Sequence, residues 1–373
     1  MVRLLYKVLL LLWGLTFTVW FCSCVEQIQP VAGPPDDGIE HLSIIIGKDN
    51  LTALQKSTFI DRWFPLYLEK DTGECTARIR MHGGLARHFP KKTYKVEVYS
   101  GYPEKVGDAF QLSAQYNDTS FCRYRLAQYL FSKAGLLCPE VKPVHLFFDN
   151  CYYGLYLRIE MVDELFLHRR NLPVASLYKA KSNSWFSSKY GIVPQAHFDK
   201  KLPVNDMSYA DLEQLFLLLD KGITVADTVP LENLLDIHNV LDYYAVAVLI
   251  RHYDGIIKNF YLYYNPIIRK FQFIPWDFDL TFYGNPHLTY NWRNNLFEQL
   301  MAIDSYSSYV ENRMKELFQY DELTALLTAL AAEVKQALEL DPWLQKENRD
   351  FNGEVNELYW YFSRMNVLLQ SKK

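Results

Sequence analysis

The sequence predicts an α+β protein: a β-rich N-terminal lobe, about residues 41–180, packed on a mainly helical C-terminal lobe, about residues 205–373, that contains one β-hairpin. Three observations carry this. Short apolar runs such as Leu42–Ile46, Lys92–Tyr99 and Val144–Phe148 have strand length and strand alternation. From Ala210 onward the apolar residues instead recur with helical period. That helical pattern is interrupted once, between Asn259 and Ile274, by two runs rich in Tyr, Phe, Leu and Ile around Asn265-Pro266, a turn signal.

Taken in order, residues 1–24 read as a leader. Arg3 and Lys7 precede an apolar run from Val8 to Phe21, which is of signal-peptide length and short for a membrane span. Ser23 before Cys24 resembles a bacterial lipoprotein box, in which Cys24 carries lipid and becomes the mature N-terminus. Phe21 stands where an aliphatic residue is usual, so simple secretion and an uncleaved anchor stay open. Residues 25–40, rich in Pro, Gly and Asp, read as a tether. The expectation is an exported domain over residues 41–373 that meets a membrane only through a lipid at Cys24.

Within the β-rich lobe one helix is expected, from Ser120 to Ala134. The helical lobe should contain Asp211–Leu219, Leu231–Ile250, Asn295–Ile303, Tyr309–Leu317, Asp321–Leu338 and Glu354–Leu369. Beyond the leader remain Cys75, Cys122, Cys138 and Cys151, which could pair in three ways or stay free; no C-x-x-C zinc signature occurs. The net charge of −4 and the dispersed basic residues give no electrostatic footprint for nucleic acid.

The hairpin gathers chemistry. Asp254 and Asn259 precede and open its first strand, while Asp277 and Asp279 follow its second. In an antiparallel pair those two ends lie side by side, so four polar side chains should meet at one end. Asp277 and Asp279 also share parity, with Trp276 and Phe278 facing the other way. An Asp followed five residues later by an Asn, then by a second acidic cluster, is how protein kinases place a catalytic base and two magnesium ligands. Three carboxylates meeting an amide repel strongly unless a cation sits among them. A structural calcium site is the competing explanation, but the short-spaced acidic loop usual for such sites is missing.

Upstream, His82-Gly83-Gly84 opens a turn that leads to Pro90-Lys91-Lys92-Thr93-Tyr94. Backbone N–H groups of Gly83 and Gly84 and a strand lysine could cradle a phosphate chain. Extending strand parity places Lys92 on the face of Tyr94, Val96 and Val98, hence inward. An inward lysine needs a counter-charge, and Glu160 is the expected partner.

The segments Gly83–Lys95, Asn117–Arg123, Asn150–Arg170, Asp254–Tyr264 and Ile274–Phe282 resemble, in order and spacing, the CotH kinase family, the spore-coat protein H type of atypical kinase. The resemblance covers most of residues 75–320. Its most specific pieces are Pro90-Lys91-Lys92-x-Tyr94, Gly154-x-Tyr156-x3-Glu160 and Pro275-Trp276-Asp277-Phe278-Asp279. It implies a secreted protein kinase on an atypical kinase-like fold, using ATP and Mg2+ or Mn2+ to phosphorylate Ser or Thr of a protein substrate. By the same resemblance Asp254 is the catalytic base, Asn259 and Asp277 are metal ligands, and Asp279 is a further acidic ligand. Lys92 and Glu160 form the phosphate-orienting ion pair, with Gly83, Gly84 and Arg87 at the nucleotide. Arg123 and Lys179 lie in family-like contexts without an assigned role.

One departure stands out. Family members commonly carry Arg-Gly-Asn-Ser-Ser or similar before the basic Pro-Lys-Lys, where this chain has His82-Gly83-Gly84-Leu85-Ala86. Each lost polar group removes a hydrogen bond of roughly 1 kcal/mol. The alternative to a kinase is therefore a kinase-like surface scaffold or binding lipoprotein with weak or no turnover.

Overall fold

The computed structural model describes residues 34, 36–70, 73–100, 105–182, 184–187, 193–224, 228–289, 294–347 and 350–371. The expected leader and nearly all of the tether lie outside them.

Seven strands form the N-terminal lobe: β1 Glu40–Ile45, β2 Phe64–Lys70, β3 Gly73–Met81, β4 Tyr94–Ser100, β5 Lys105–Ser113, β6 Val141–Phe148 and β7 Cys151–Glu160. They close into a barrel in the order β1-β2-β3-β4-β5-β7-β6. Every pairing in the ring is antiparallel except the one that closes it, where β1 runs parallel to β6 with Leu42 opposite Leu146. Alternation decides what fills it: Ile44, Leu66, Ile79, Val96, Phe110 and Val144 are all buried. Helix α1, Lys48–Lys56, follows β1 and was not expected from the sequence; its mostly polar stretch buries only Leu54. Helix α2, Arg123–Lys133, lies inside the span expected for it.

Beyond the barrel come α3 Glu164–Arg169, β8 Leu177–Ala180, α4 Pro194–His197, β9 Phe198–Leu202, α5 Ala210–Lys221, α6 Val229–Leu234, α7 Ile237–Leu249 and α8 Tyr253–Ile257. The hairpin β10 Phe260–Asn265 and β11 Lys270–Pro275 follows, then α9 Asn295–Met301, α10 Asp304–Leu317, α11 Tyr320–Glu339, α12 Pro342–Glu347 and α13 Phe351–Ser371. The chain is thus α+β, with a β-rich N-terminal region and a helical C-terminal part.

Two expectations are corrected here. The single helix expected from Leu231 to Ile250 is broken at Leu235 and Asp236. Leu235 takes extended backbone, and Asp236 caps the next helix by accepting from Asn239 N–H at 3.4 Å. The hairpin, in turn, is not isolated: it forms half of a four-stranded sheet ordered β11-β10-β8-β9.

The outer face of β7 joins the lobes. Leu155, Leu157 and Ile159 are wholly buried in the same apolar cluster as α7, the hairpin and the C-terminal helices. Polar links also cross this apolar contact, the most buried of them at Lys91. Lys91 donates to the Leu155 carbonyl at 2.6 Å and to Asp341 Oδ2 at 2.8 Å, and Asp341 also accepts from Leu155 N–H at 2.8 Å. Asp341 Oδ1 caps α12 by accepting from Trp343 N–H at 2.9 Å. Gly154, at φ +125°, leaves room for this carboxylate: a Cβ there would lie 2.7 Å from Asp341 Oδ2.

Candidate functional site

A cavity of about 560 Å³ opens where the hairpin end faces the turn between β3 and β4. Asp254, Asn259, Asp277 and Asp279 line it together with Lys179, whose strand pairs with the hairpin; Arg80, His82, Gly83, Gly84 and Arg87 come from β3 and the turn that follows it.

Local structure explains how the acidic side forms. Strand pairing places Phe260 opposite Pro275, and the ladder continues one step, with Trp276 N–H donating to the Asn259 carbonyl at 3.1 Å. Trp276 and Phe278 are buried, while Asp277 and Asp279 are half-buried and line the cavity, the division that alternation requires. Asn259 and Asp277 both take left-handed backbone, at φ +53° and +65°. Asn and Asp tolerate that region better than most residues, and both line the cavity. Asp254 lies on the one-and-a-half-turn helix α8. His252, just before it, is buried and has its Nε2 3.2 Å from the Trp276 carbonyl, joining the start of α8 to the end of β11. Burial pushes the imidazole down to about 4, so it is neutral near pH 7.

The electrostatics divide the cavity in two. Burial raises the carboxyls of Asp277 and Asp279 above their ordinary range, and neighbouring carboxylates add to the effect. Asp254 acts on both, and Asp279, pushed up to about 7, also feels Asp277. Asn117 partly offsets this by donating to Asp279 Oδ2 at 3.3 Å, and Lys258 pairs with Asp254 at 2.9 Å. Cations line the rest of the cavity. His82 is pushed down to about 3 by burial first and then by Lys179, Arg80, Lys95 and Arg87 around it. Lys179, from β8, has its ammonium 5.5 Å from the ring centres of Tyr261 and Trp276 and makes no ion pair among the described residues. Burial lowers its pKa, opposed by Asp277 and Asp199. Arg80 and Arg87 share Asp61, and Arg87 Nε donates to the Gly83 carbonyl at 2.7 Å, bracing the glycine turn.

The expected pair of Lys92 and Glu160 does not form. Lys92 donates to the Arg87 carbonyl at 2.8 Å, and Glu160 is held by Arg169 at 2.8 Å and Arg170 at 2.7 Å. Glu160 lines a separate cavity of about 460 Å³ with Asp108, Lys142, Arg158 and Arg169. The reason is local: β4 begins only at Tyr94, and the chain bends at Lys91, so strand alternation cannot be extended back to Lys92. The buried member of the pair is Lys91. The cavity does receive Lys179 and Lys258; sequence pattern alone missed Lys179 because its strand is only four residues long.

Among the described residues no three His, Cys, Asp or Glu side chains are grouped closely enough to hold a metal ion unaided. The donor set nevertheless suits one bound together with phosphate: Asp277, Asp279 and Asn259 present hard oxygen donors to one cavity, two of them carboxyls that burial and mutual repulsion disfavour as anions. Magnesium and manganese typically take one or two carboxylates and complete their shell with substrate phosphate and water.

Residues 79–367, from β3 into the C-terminal helix, match the family model described as CotH kinase protein. The chain belongs to the CotH kinase protein family. Among CotH relatives, the protein named Inner spore coat protein H of Bacillus subtilis (strain 168) is 23% identical over 357 residues, covering 88% of this chain and 95% of the relative. All nine site residues expected from the sequence fall within the matched span.

Proposed function

We propose that this CotH chain is an atypical protein kinase that transfers the γ-phosphate of ATP to a Ser or Thr hydroxyl of an envelope or extracellular protein. The observation that carries the reading is a single cavity that brings an acid–amide cluster together with the half-buried cations Lys179, Arg80 and Arg87. In it, Asn259 and Asp277 would hold Mg2+ or Mn2+, with Asp279 beside them. Lys179, together with Arg80 and the N–H groups of Gly83 and Gly84, receives the phosphate chain in the role expected of Lys92 and Glu160. Asp254 accepts the proton of the substrate hydroxyl while that oxygen forms its bond to phosphorus and the bond to the bridging oxygen breaks, releasing ADP. Bound ATP and metal supply the phosphoryl group and screen its charge.

Similarity to a protein named for the spore coat supports a surface or extracellular location, and the lipoprotein-like leader agrees with it. One observation favours a second reading, a scaffold with little turnover: Leu85 and Ala86 bring no hydroxyl to the cavity, and His82 beside them is neutral. The mature domain incubated with labelled ATP and manganese separates the two. Labelling of itself or of a partner protein that is lost in Asp254→Asn and Asp277→Asn supports the kinase. Labelling that survives both substitutions overturns the mechanism, and stabilisation by ATP and metal without any labelling supports the scaffold. Asn is the proper replacement at position 277 because it keeps the left-handed backbone.

A further inference from the structure

Arg123 opens α2, is wholly buried, and lies outside the cavity. Its Nη1 donates to the carbonyls of Thr281 and Phe282 at 3.0 and 3.2 Å, just past Asp279. Its Nη2 donates to Glu354 at 2.7 Å and reaches Glu357 at 3.4 Å, both on α13. The guanidinium lies 3.7 Å from the Tyr283 ring centre; the Tyr283 hydroxyl donates to the Asn117 carbonyl at 2.6 Å, and the Asn117 amide donates to Asp279. The turn is also tied internally, Thr281 Oγ1 donating to the Phe278 carbonyl at 2.8 Å.

We infer that Arg123 is a positioning residue that makes the C-terminal helix α13 part of the acidic end of the site, fixing the turn after Asp279 and, through Tyr283 and Asn117, the Asp279 carboxylate itself. The inference rests on the phosphotransfer reading.

Two considerations separate this from mere packing. Filling a core does not call for an arginine, since apolar residues of similar volume serve as well or better than buried charges. What only a guanidinium provides here is a fork: one nitrogen for two carbonyls of the acidic turn, the other for carboxylates on a helix more than 70 residues further along the chain. Residues that hold metal-binding carboxylates in place tune affinity for the metal as strongly as many ligands do.

The experiment measures manganese affinity, by electron paramagnetic resonance of the free ion, for the mature domain saturated with a non-hydrolysable ATP analogue. Arg123→Lys keeps the charge and loses the fork, and is expected to weaken manganese binding roughly tenfold. Glu354→Gln touches nothing in the cavity and should weaken it in the same direction while leaving circular dichroism and melting temperature near wild type. Glu322→Gln, which breaks an ion pair with Lys133 unconnected to the turn, should leave it unchanged. If Arg123→Lys does not fold, Glu354→Gln decides. Wild-type manganese affinity in folded Glu354→Gln, or an equal loss in Glu322→Gln, overturns the inference while the phosphotransfer reading stands. A wild-type protein that binds no manganese overturns that reading, and this inference with it.

Discussion

Consider the removal of Lys91, whose side chain is 3% exposed and whose partner Asp341 is 0% exposed. Burial lowers the lysine's pKa and Asp341 opposes the shift, so each charge is tolerated because of the other. Lys91→Met leaves a buried carboxylate that still accepts from Leu155, Trp343 and Leu344 N–H groups, which places the loss at the lower end of the range for a broken buried pair, about 3 kcal/mol. Asp341→Ala strands the ammonium, leaves Leu155 N–H without its side-chain acceptor and uncaps α12, for about 5 kcal/mol. The double variant strands neither charge and should cost less than the two singles together, with a coupling of about 2–3 kcal/mol. Urea unfolding of the mature domain and its three variants gives these differences by linear extrapolation. Strict additivity, or single losses below about 1 kcal/mol as for a solvated surface pair, would refute the idea that this bridge joins the lobes.

The site makes further predictions. Lys179→Met should abolish stabilisation by ATP with manganese in a thermal-shift titration, whereas Lys92→Met, which loses only a hydrogen bond to a carbonyl, should retain most of it. In metal-free protein, Asp279→Asn should raise the melting temperature, because it removes one of the mutually repelling carboxylates from the cavity, and adding metal with ATP should then stabilise the variant less than wild type. Burial alone would raise Glu160, but hydrogen bonds from Arg170 and Arg169 outweigh it and hold the carboxyl below its ordinary 4.5. Its contribution is therefore present above pH 4.5 and lost as pH falls through the lower folded value, so Glu160→Gln should flatten stability against pH on the acid side. A wild-type acid limb in that variant would contradict the arginine clamp.

The convergence of Asp254, Asn259, Asp277 and Asp279 was legible in the sequence because the hairpin that brings them together is local: a turn signal, two short strands and alternation around Trp276 and Phe278. The cations around it were not. Lys179 reaches the cavity because β8 pairs with β10, Lys179 opposite Tyr261, a contact with no signature in the residues around it. Lys91 finds its partner 250 residues away, and alternation extended across a bend selected the wrong lysine. The barrel closes through the pairing of β1 with β6, about which their individual apolar patterns say nothing beyond strand length. The break at Asp236, by contrast, carried a readable sign, an aspartate two residues after a helix-compatible run, which the continuous apolar period obscured.

The left-handed backbone at Asn259 and Asp277 bears on how such a site could decay. At these two positions the residue that supplies an oxygen is also one of the few that rests easily at positive φ, so chemistry and conformation select the same side chains. A lineage released from phosphotransfer would still feel the second constraint. It would drift there by exchanging Asn with Asp or by taking glycine, and would reach alanine or a β-branched residue only after the turn itself had been rebuilt. The remnant of a lost site in this fold would thus keep Asn, Asp or glycine at both positions.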